Sequence, residues 1–127
     1  MKAFLISVLC LLSCLQAAAQ HGGKAEPQQI KFAAGASSST VTGKLSNGQE
    51  YDLVFTAKKG QQVTIRNSRP SMFDFRVFNE QFNFETEFES SPTLSFEIPE
   101  SGDYLFFVRK KMTGPRTARF SLRLTIK

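Results

Sequence analysis

The sequence predicts an all-β protein, a small antiparallel β-sandwich of about eight short strands. From residue 29 onward, apolar and polar residues alternate with a period of two, which is typical of half-buried strands. Turn-forming residues interrupt this alternation roughly every ten residues, as they do in sandwiches. No stretch keeps the 3.6-residue period of an amphipathic helix for long enough to form one. The 13 phenylalanines among 127 residues supply a core, because each ring removes a large apolar area from water.

The alternating runs are the expected strands, and alternate residues of each run are expected to face the core. In chain order the expected inward residues are Ile30 and Phe32; Val41 and Leu45; Tyr51, Leu53, Phe55 and Ala57; Val63 and Ile65; Phe73, Phe75 and Val77; Phe82, Phe84 and Phe88; Leu94, Phe96 and Ile98; Tyr104, Phe106 and Val108; Phe120, Leu122, Leu124 and Ile126. Turns are expected at residues 34–35, 46–48, 58–60, 68–70, 90–92, 99–102 and 113–115, where Gly, Pro, Asn and Ser concentrate.

The run from Tyr104 to Val108 is apolar on both faces, since Leu105 and Phe107 interrupt the alternation. Two explanations remain open. Neighbouring long side chains can cover the outer face of a central strand, which is the explanation that we favour, or the two residues form an exposed patch for a partner.

The first residues have the pattern of an export signal. Lys2 precedes an apolar run from Ala3 to Leu15, and Ala17 and Ala19 are the small residues that signal peptidase requires. We therefore expect a signal peptide at residues 1–19, cleavage after Ala19, a flexible leader at 20–28 and the sandwich domain at 29–127, in the periplasm or outside the cell. The run is shorter than the 20 or so residues that span a bilayer.

Lipidation is the alternative for this segment, because Leu-Leu-Ser-Cys at residues 11–14 has the look of a lipoprotein site at Cys14. The alanine site just beyond it favours ordinary cleavage. Cleavage removes both cysteines, so the mature domain folds without a disulfide.

The composition also excludes several chemistries. His21 is the one histidine and lies in the leader, which excludes a multi-histidine metal site or a conventional catalytic triad. No glycine-rich phosphate loop is present. We expect no enzyme activity, no cofactor and no metal. Nucleic acid is not an expected partner, although the formal net charge is +5, because the basic residues lack interleaved stacking groups and the chain is exported.

Charge is segregated along the chain. The acidic segment contains Glu80, Glu85, Glu87, Glu89, Glu97, Glu100 and Asp103, and the basic segment contains Arg109, Lys110, Lys111, Arg116, Arg119, Arg123 and Lys127. If strands of the two segments pair, opposite charges form a cross-strand ladder. The four cations around residues 112–115 are expected instead to crowd at a hairpin end with few acids in reach, and to bind an anionic partner there.

Several segments together resemble the bacterial periplasmic inhibitors of goose-type (g-type) lysozyme. They are Ile-Lys-Phe at 30–32, Gly-Ala-Ser-Ser-Ser-Thr-Val-Thr-Gly at 35–43, Tyr51 before Ala-Lys-Lys-Gly-Gln at 57–61, and Ser-Gly-Asp-Tyr at 101–104 with Val108. The second half of this pattern also occurs in the broader class of pre-peptidase C-terminal-type sandwiches, whereas the opening from residue 32 favours the inhibitors.

The resemblance implies a sandwich whose loops at one end enter the substrate cleft of a goose-type lysozyme and engage its catalytic acid. By position, the implied partner-binding residues are Tyr51, Ser101, Gly102, Asp103, Tyr104 and Arg116. The arginine segment is shorter here, and Met112 stands where the family has a leading arginine. Lys110, Lys111 or Arg119 are the candidates to replace it.

Some of these residues have structural roles open to them as well. Gly102 suits a turn, Tyr104 can be a core ring whose hydroxyl binds a turn carbonyl, and Tyr51 begins an inward-facing run. The alternative function is a non-catalytic carbohydrate- or cell-wall-binding module, for which Phe78, Phe82 and Phe107 are the candidate aromatic platforms.

Overall fold

The computed structural model describes residues 27–127. The predicted signal peptide, its cleavage site, Cys14 and His21 lie outside the described residues. Within this range the strands are β1 (Gln28–Gln29), β2 (Ser38–Ser46), β3 (Glu50–Ala57), β4 (Gln62–Asn67), β5 (Phe73–Asn79), β6 (Phe84–Glu85), β7 (Thr93–Glu97), β8 (Gly102–Lys110) and β9 (Thr117–Ile126). Residues 27–127 form no helix, so none there is long and apolar enough to cross a membrane.

The strands form two sheets packed face to face, which confirms the predicted sandwich. Sheet A has five strands in the order β1-β3-β8-β5-β6, and sheet B has four in the order β2-β9-β4-β7. Neighbouring strands are antiparallel except β1 and β3, which are parallel. β8 and β9, which are consecutive in the chain, both lie inside their sheets.

Alternate residues of both sheets build the core, as the period-two pattern predicts. In β9 the buried residues are Ala118, Phe120, Leu122, Leu124 and Ile126, and the residues between them reach solvent or are partly covered. Phe106 lies near the middle, with its ring edge-on to Phe55 and Phe75. Such edge-to-face pairs stabilise a core beyond their buried area.

Two expected strands are shorter than the alternation predicts. The strand expected at residues 30–32 is replaced by β1, which ends at Gln29, although Ile30 is buried and its amide still donates to the Val54 carbonyl at 2.9 Å. The run from Phe82 to Phe88 pairs only over β6, because the chain turns at Asn83, whose φ is +52°. Both segments lie at the edges of sheet A, where pairing on one side alone is weak.

The outer face of β8 is covered rather than open. Leu105 and Phe107 are half-buried, and the Phe107 ring lies 5.1 Å from the Phe78 ring on β5. The guanidinium of Arg76 lies over Phe78 at 5.0 Å. Long neighbouring side chains therefore cover this central strand, as the first of the two explanations requires.

The expected ladder of opposite charges does not form. β9 lies between β2 and β4, and the acidic β7 pairs with the far side of β4. Arg119 is therefore opposite Lys44, and Arg123 is opposite Arg66. The expectation was wrong because sequence order does not show which strand separates two charged strands.

Candidate functional site

The structure places the expected site residues at two opposite ends of the sandwich. Ser101 precedes β8 and Arg116 follows it, and β8 is nine residues long. At about 3.3 Å per residue, roughly 27 Å of strand separates the two loops. The expectation that the implied partner-binding loops lie together at one end is therefore wrong for Ser101 and Arg116.

At the first end, the Ser-Gly-Asp residues hold a turn together. The Ser101 hydroxyl accepts a hydrogen bond from the Lys59 amide at 2.9 Å, and the Asp103 carboxylate accepts one from the Thr56 hydroxyl at 2.5 Å. Gly102 has a φ of +156°, and a Cβ there would lie 3.0 Å from the Phe82 ring. Glycine is thus required here by the packing and backbone of the turn itself.

Tyr104 is fully buried, and its hydroxyl donates to the Glu100 carbonyl at 2.6 Å. Burial raises the pKa of this hydroxyl, the hydrogen bond to the Glu100 backbone opposes that shift, and the nearby Glu100 charge adds to it. The alternative of a core ring bonded to a turn carbonyl is confirmed. Tyr104 therefore has no free surface to offer a partner.

Tyr51 is half-buried, and its ring lies 5.6 Å from that of Phe120 in the core. Its hydroxyl donates to the Gln28 side chain at 2.6 Å. It lines a groove of about 630 Å³ between the edge strands β1 and β2. Tyr51 thus ties β1 to the sandwich, and its hydroxyl is bound to Gln28 within the domain.

At the second end, residues 111–116 form a loop that we call the β8–β9 tip. Four hydrogen bonds attach it to neighbouring loops, of which three are 3.1 Å or shorter. The Asn47 amide donates to the Arg116 carbonyl at 3.0 Å, the Lys111 amide donates to the Met72 carbonyl at 2.8 Å, and the Thr113 hydroxyl donates to the Ser71 carbonyl at 3.1 Å. The tip is therefore held in place on two sides.

The buried side chain of Lys110 also holds the tip in place. Its side chain is fully buried, and its ammonium donates to Asn47 Oδ1 at 2.9 Å, to the Lys111 carbonyl at 2.9 Å and to the Thr113 carbonyl at 2.7 Å. An ammonium has three N–H donors, so the three oxygens saturate it. Lys110 is a structural residue and does not replace a partner-binding arginine.

Arg109 is also occupied within the domain. It donates two hydrogen bonds to the buried carboxylate of Asp74, at 3.2 and 2.9 Å, and its guanidinium lies 3.8 Å from the centre of the Phe88 ring. The hydrogen bond with Asp74 raises the pKa of Arg109. Sequence reasoning missed Asp74 because it lies outside the acidic segment and reaches Arg109 only through the β5–β8 register.

Arg116 differs from the other three cations at this end. It is exposed, and within residues 27–127 its side chain makes no hydrogen bond or ion pair with the domain. Lys111, by comparison, reaches the Pro70 carbonyl at 3.4 Å. Met112, in the same tip, is 73% exposed and is the large apolar residue most open to solvent in the described range. The tip therefore carries a free guanidinium and an exposed apolar side chain in the same loop.

The remaining candidates lie elsewhere. Arg119 is exposed on the outer face of sheet B, opposite Lys44, and is not part of the tip. The candidate platforms Phe78 and Phe107 pack on one another, and Phe82 packs against Tyr104 with ring centres 6.1 Å apart. Residues 27–127 contain no cluster of three His, Cys, Asp or Glu side chains placed to hold a metal.

Comparison with known proteins shows a shared fold at low identity. No family model matches the sequence, and no curated protein matches it by sequence. The structure is similar to that of Aeromonas hydrophila PliG, a periplasmic lysozyme inhibitor of g-type lysozyme, with a TM-score of 0.66 and 22% identity over 80% of this chain and 96% of that one. Salmonella Typhimurium PliG, which has the same description, gives a TM-score of 0.67 and 18% identity over 82% and 100%.

The broader class is also represented. The pre-peptidase C-terminal domain of a Bacillus anthracis collagenase gives a TM-score of 0.53 and 14% identity over 84% of this chain and 100% of that domain. Both groups named from the sequence motifs therefore share this fold, and the inhibitors are more similar to the chain than this collagenase domain is.

Proposed function

We propose that this protein binds a g-type lysozyme and inhibits it, and that the β8–β9 tip enters the enzyme's cleft. The fold shared with two g-type lysozyme inhibitors supports the choice of partner. The observation that carries the choice of surface is Arg116, an exposed arginine without an internal partner on a loop that is itself held firmly.

Arginine suits this role because its planar guanidinium donates two parallel hydrogen bonds to a carboxylate. A lysozyme cleft contains the carboxyl groups that cleave the glycosidic bond. Met112, in the same tip as Arg116, offers an adaptable apolar contact. Because Lys110 and the neighbouring loops already order the tip, little conformational entropy is lost when it binds.

The other end of the sandwich is a weaker candidate. Ser101, Gly102 and Asp103 stabilise their own turn, and Tyr104 is inaccessible. A single cleft that receives the tip does not also reach a loop about 27 Å away along β8. We therefore assign the partner contact to Arg116 and its neighbours in the tip, and a structural role to the Ser-Gly-Asp-Tyr segment.

The proposal includes export to the periplasm with cleavage after Ala19. The mature chain then contains no cysteine. The two similar inhibitors are periplasmic, and residues 1–19 have the pattern of a signal peptide. Mass spectrometry of the exported protein tests this directly. A mature chain that begins at Gln20 agrees with it, and an acylated chain that begins at Cys14 contradicts it.

The functional test is an inhibition panel of goose-, chicken- and invertebrate-type lysozymes, read by the clearing of a bacterial cell-wall suspension. We expect the mature protein to inhibit the goose-type enzyme. Arg116→Ala should weaken inhibition by at least roughly thirtyfold, since loss of a buried charge partner costs about 2–5 kcal/mol. Lys58→Ala is the matched control, because Lys58 is an exposed cation at the opposite end. Absence of goose-type inhibition at micromolar concentration contradicts the proposal.

A further inference from the structure

The outer face of sheet B carries a group of cations that the tip does not use. The exposed cations of this face are Lys44 on β2, Arg66 on β4, and Arg119, Arg123 and Lys127 in or directly after β9. None of the five forms an ion pair with a carboxylate of residues 27–127. The four strands contribute one acid to the face, Glu97, which lies on the edge strand opposite Gln62.

The pairing places like charges directly opposite one another. Lys44 is opposite Arg119 in the β2–β9 pair, and Arg66 is opposite Arg123 in the β4–β9 pair. Directly opposed like charges destabilise a sheet. An anion bound between the guanidinium groups of Arg66 and Arg123 would reverse the sign of their interaction.

Hydroxyl groups occupy the positions between the cations. One row crosses all four strands as Ser38, Thr125, Thr64 and Ser95. The Ser38 and Thr125 hydroxyls lie 2.8 Å apart, and those of Thr64 and Ser95 lie 3.0 Å apart. Three residues of this row, Ser38, Thr125 and Thr64, line a depression of about 470 Å³, with Arg66 and Arg123 on one side and Lys127 on the other.

The cations also repeat along the sheet. Arg119, Arg123 and Lys127 lie four residues apart on one face of the chain, which spaces them by about 13 Å. The line is therefore about 26 Å long and lies along the middle of the sheet rather than at an end. A linear polymer with repeated negative charges fits this arrangement better than a single small anion does.

The chemistry of the face distinguishes between polymers. It has no aromatic side chain on which bases could stack, and no exposed apolar residue to enter a membrane or anchor a protein interface. Cations that alternate with hydroxyl groups match a chain in which acidic groups alternate with sugar hydroxyls. We propose that the outer face of sheet B binds an acidic polysaccharide, centred on Arg66, Arg123 and the hydroxyl row between Thr64 and Thr125.

The experiment measures binding of the mature protein to dextran sulfate, polygalacturonate and unmodified dextran by calorimetry at physiological salt. The face variant is Arg66→Gln with Arg123→Gln. The control is Lys58→Gln with Lys59→Gln, which removes the same net charge from one end of the sandwich. We expect an acidic polymer to bind and plain dextran not to bind. The face variant should bind at least about tenfold more weakly, and the control should bind within about twofold of the unmodified protein.

Three results overturn the proposal. They are no binding of either acidic polymer, an equal loss in the face variant and the control, and tighter binding of a DNA duplex or of vesicles with anionic lipids than of the polysaccharides. NMR shift mapping with the unmodified protein provides a readout that does not depend on how the variants fold. Lysozyme inhibition should be unchanged in the face variant, so this proposal and the inhibitor proposal can fail separately.

Discussion

Replacement of Lys110 by methionine tests how the β8–β9 tip is held. Lys110→Met keeps an unbranched side chain that reaches the position of Lys110 Cε, and it removes the ammonium that binds Asn47 and the carbonyls of Lys111 and Thr113. A buried acceptor left without a donor costs about 1–3 kcal/mol. Two effects reduce this cost. Water can hydrate some of the freed acceptors, because the tip is exposed, and the variant no longer buries a charged group. We therefore expect a loss of about 2–4 kcal/mol in the free energy of unfolding.

The assay is thermal and urea unfolding of the mature protein. For a domain of this size a loss of 1 kcal/mol lowers Tm by about 4–8 °C, so we expect a decrease of at least about 8 °C. Lys111→Met is the matched control, since its ammonium has one long contact at 3.4 Å and should change Tm little. If Lys110→Met unfolds at the temperature of the unmodified protein, or if the two variants behave alike, the ammonium does not hold the tip.

Three other changes test the fold and its ionisable groups. Arg109→Gln should lower the free energy of unfolding by about 2 kcal/mol and Asp74→Asn by less, because only Arg109→Gln leaves the buried carboxylate of Asp74 unpaired. Urea unfolding that gives the reverse order contradicts this. Gly43→Ala should cost about 1–3 kcal/mol in the same assay, since its Cβ would lie 2.7 Å from the buried Phe120 ring; an unchanged midpoint would be evidence against the close packing of β2 on the core. Because the pKa of Tyr104 is raised, its hydroxyl stays protonated to a higher pH in the folded state than in the unfolded state. The free energy of unfolding should therefore decrease as pH rises above about 10, and this group should cause no decrease at lower pH. Tyr104→Phe should remove this part of the decrease, and a pH profile parallel to that of the unmodified protein contradicts the assignment.

The fold was predictable from sequence because alternation reports directly on which residues face a core. Phe120, Leu122 and Leu124 are buried as the period of two requires. The pattern was least informative at the edges of sheet A. There Phe82 packs inward although the chain turns at Asn83 and forms no long strand.

The site was less predictable because it depends on which loops meet. Ser101 and Arg116 flank the same strand, β8. The length of the apolar run between them could by itself have placed the two residues at opposite ends of the sandwich. The roles of Lys110 and Asp74 had no local signal. Each depends on a partner far away in the chain, Asn47 for Lys110 and Arg109 for Asp74, that only strand pairing brings near.

The most direct test of the inhibitor proposal is a double-mutant cycle across the interface. Calorimetry gives the binding free energy of the mature protein and of Arg116→Ala for a goose-type lysozyme and for the same enzyme with its catalytic acid neutralised. If the guanidinium pairs with that carboxyl group, we expect a coupling energy of about 2 kcal/mol or more. Additive effects within about 0.5 kcal/mol would show that Arg116 does not contact the catalytic acid.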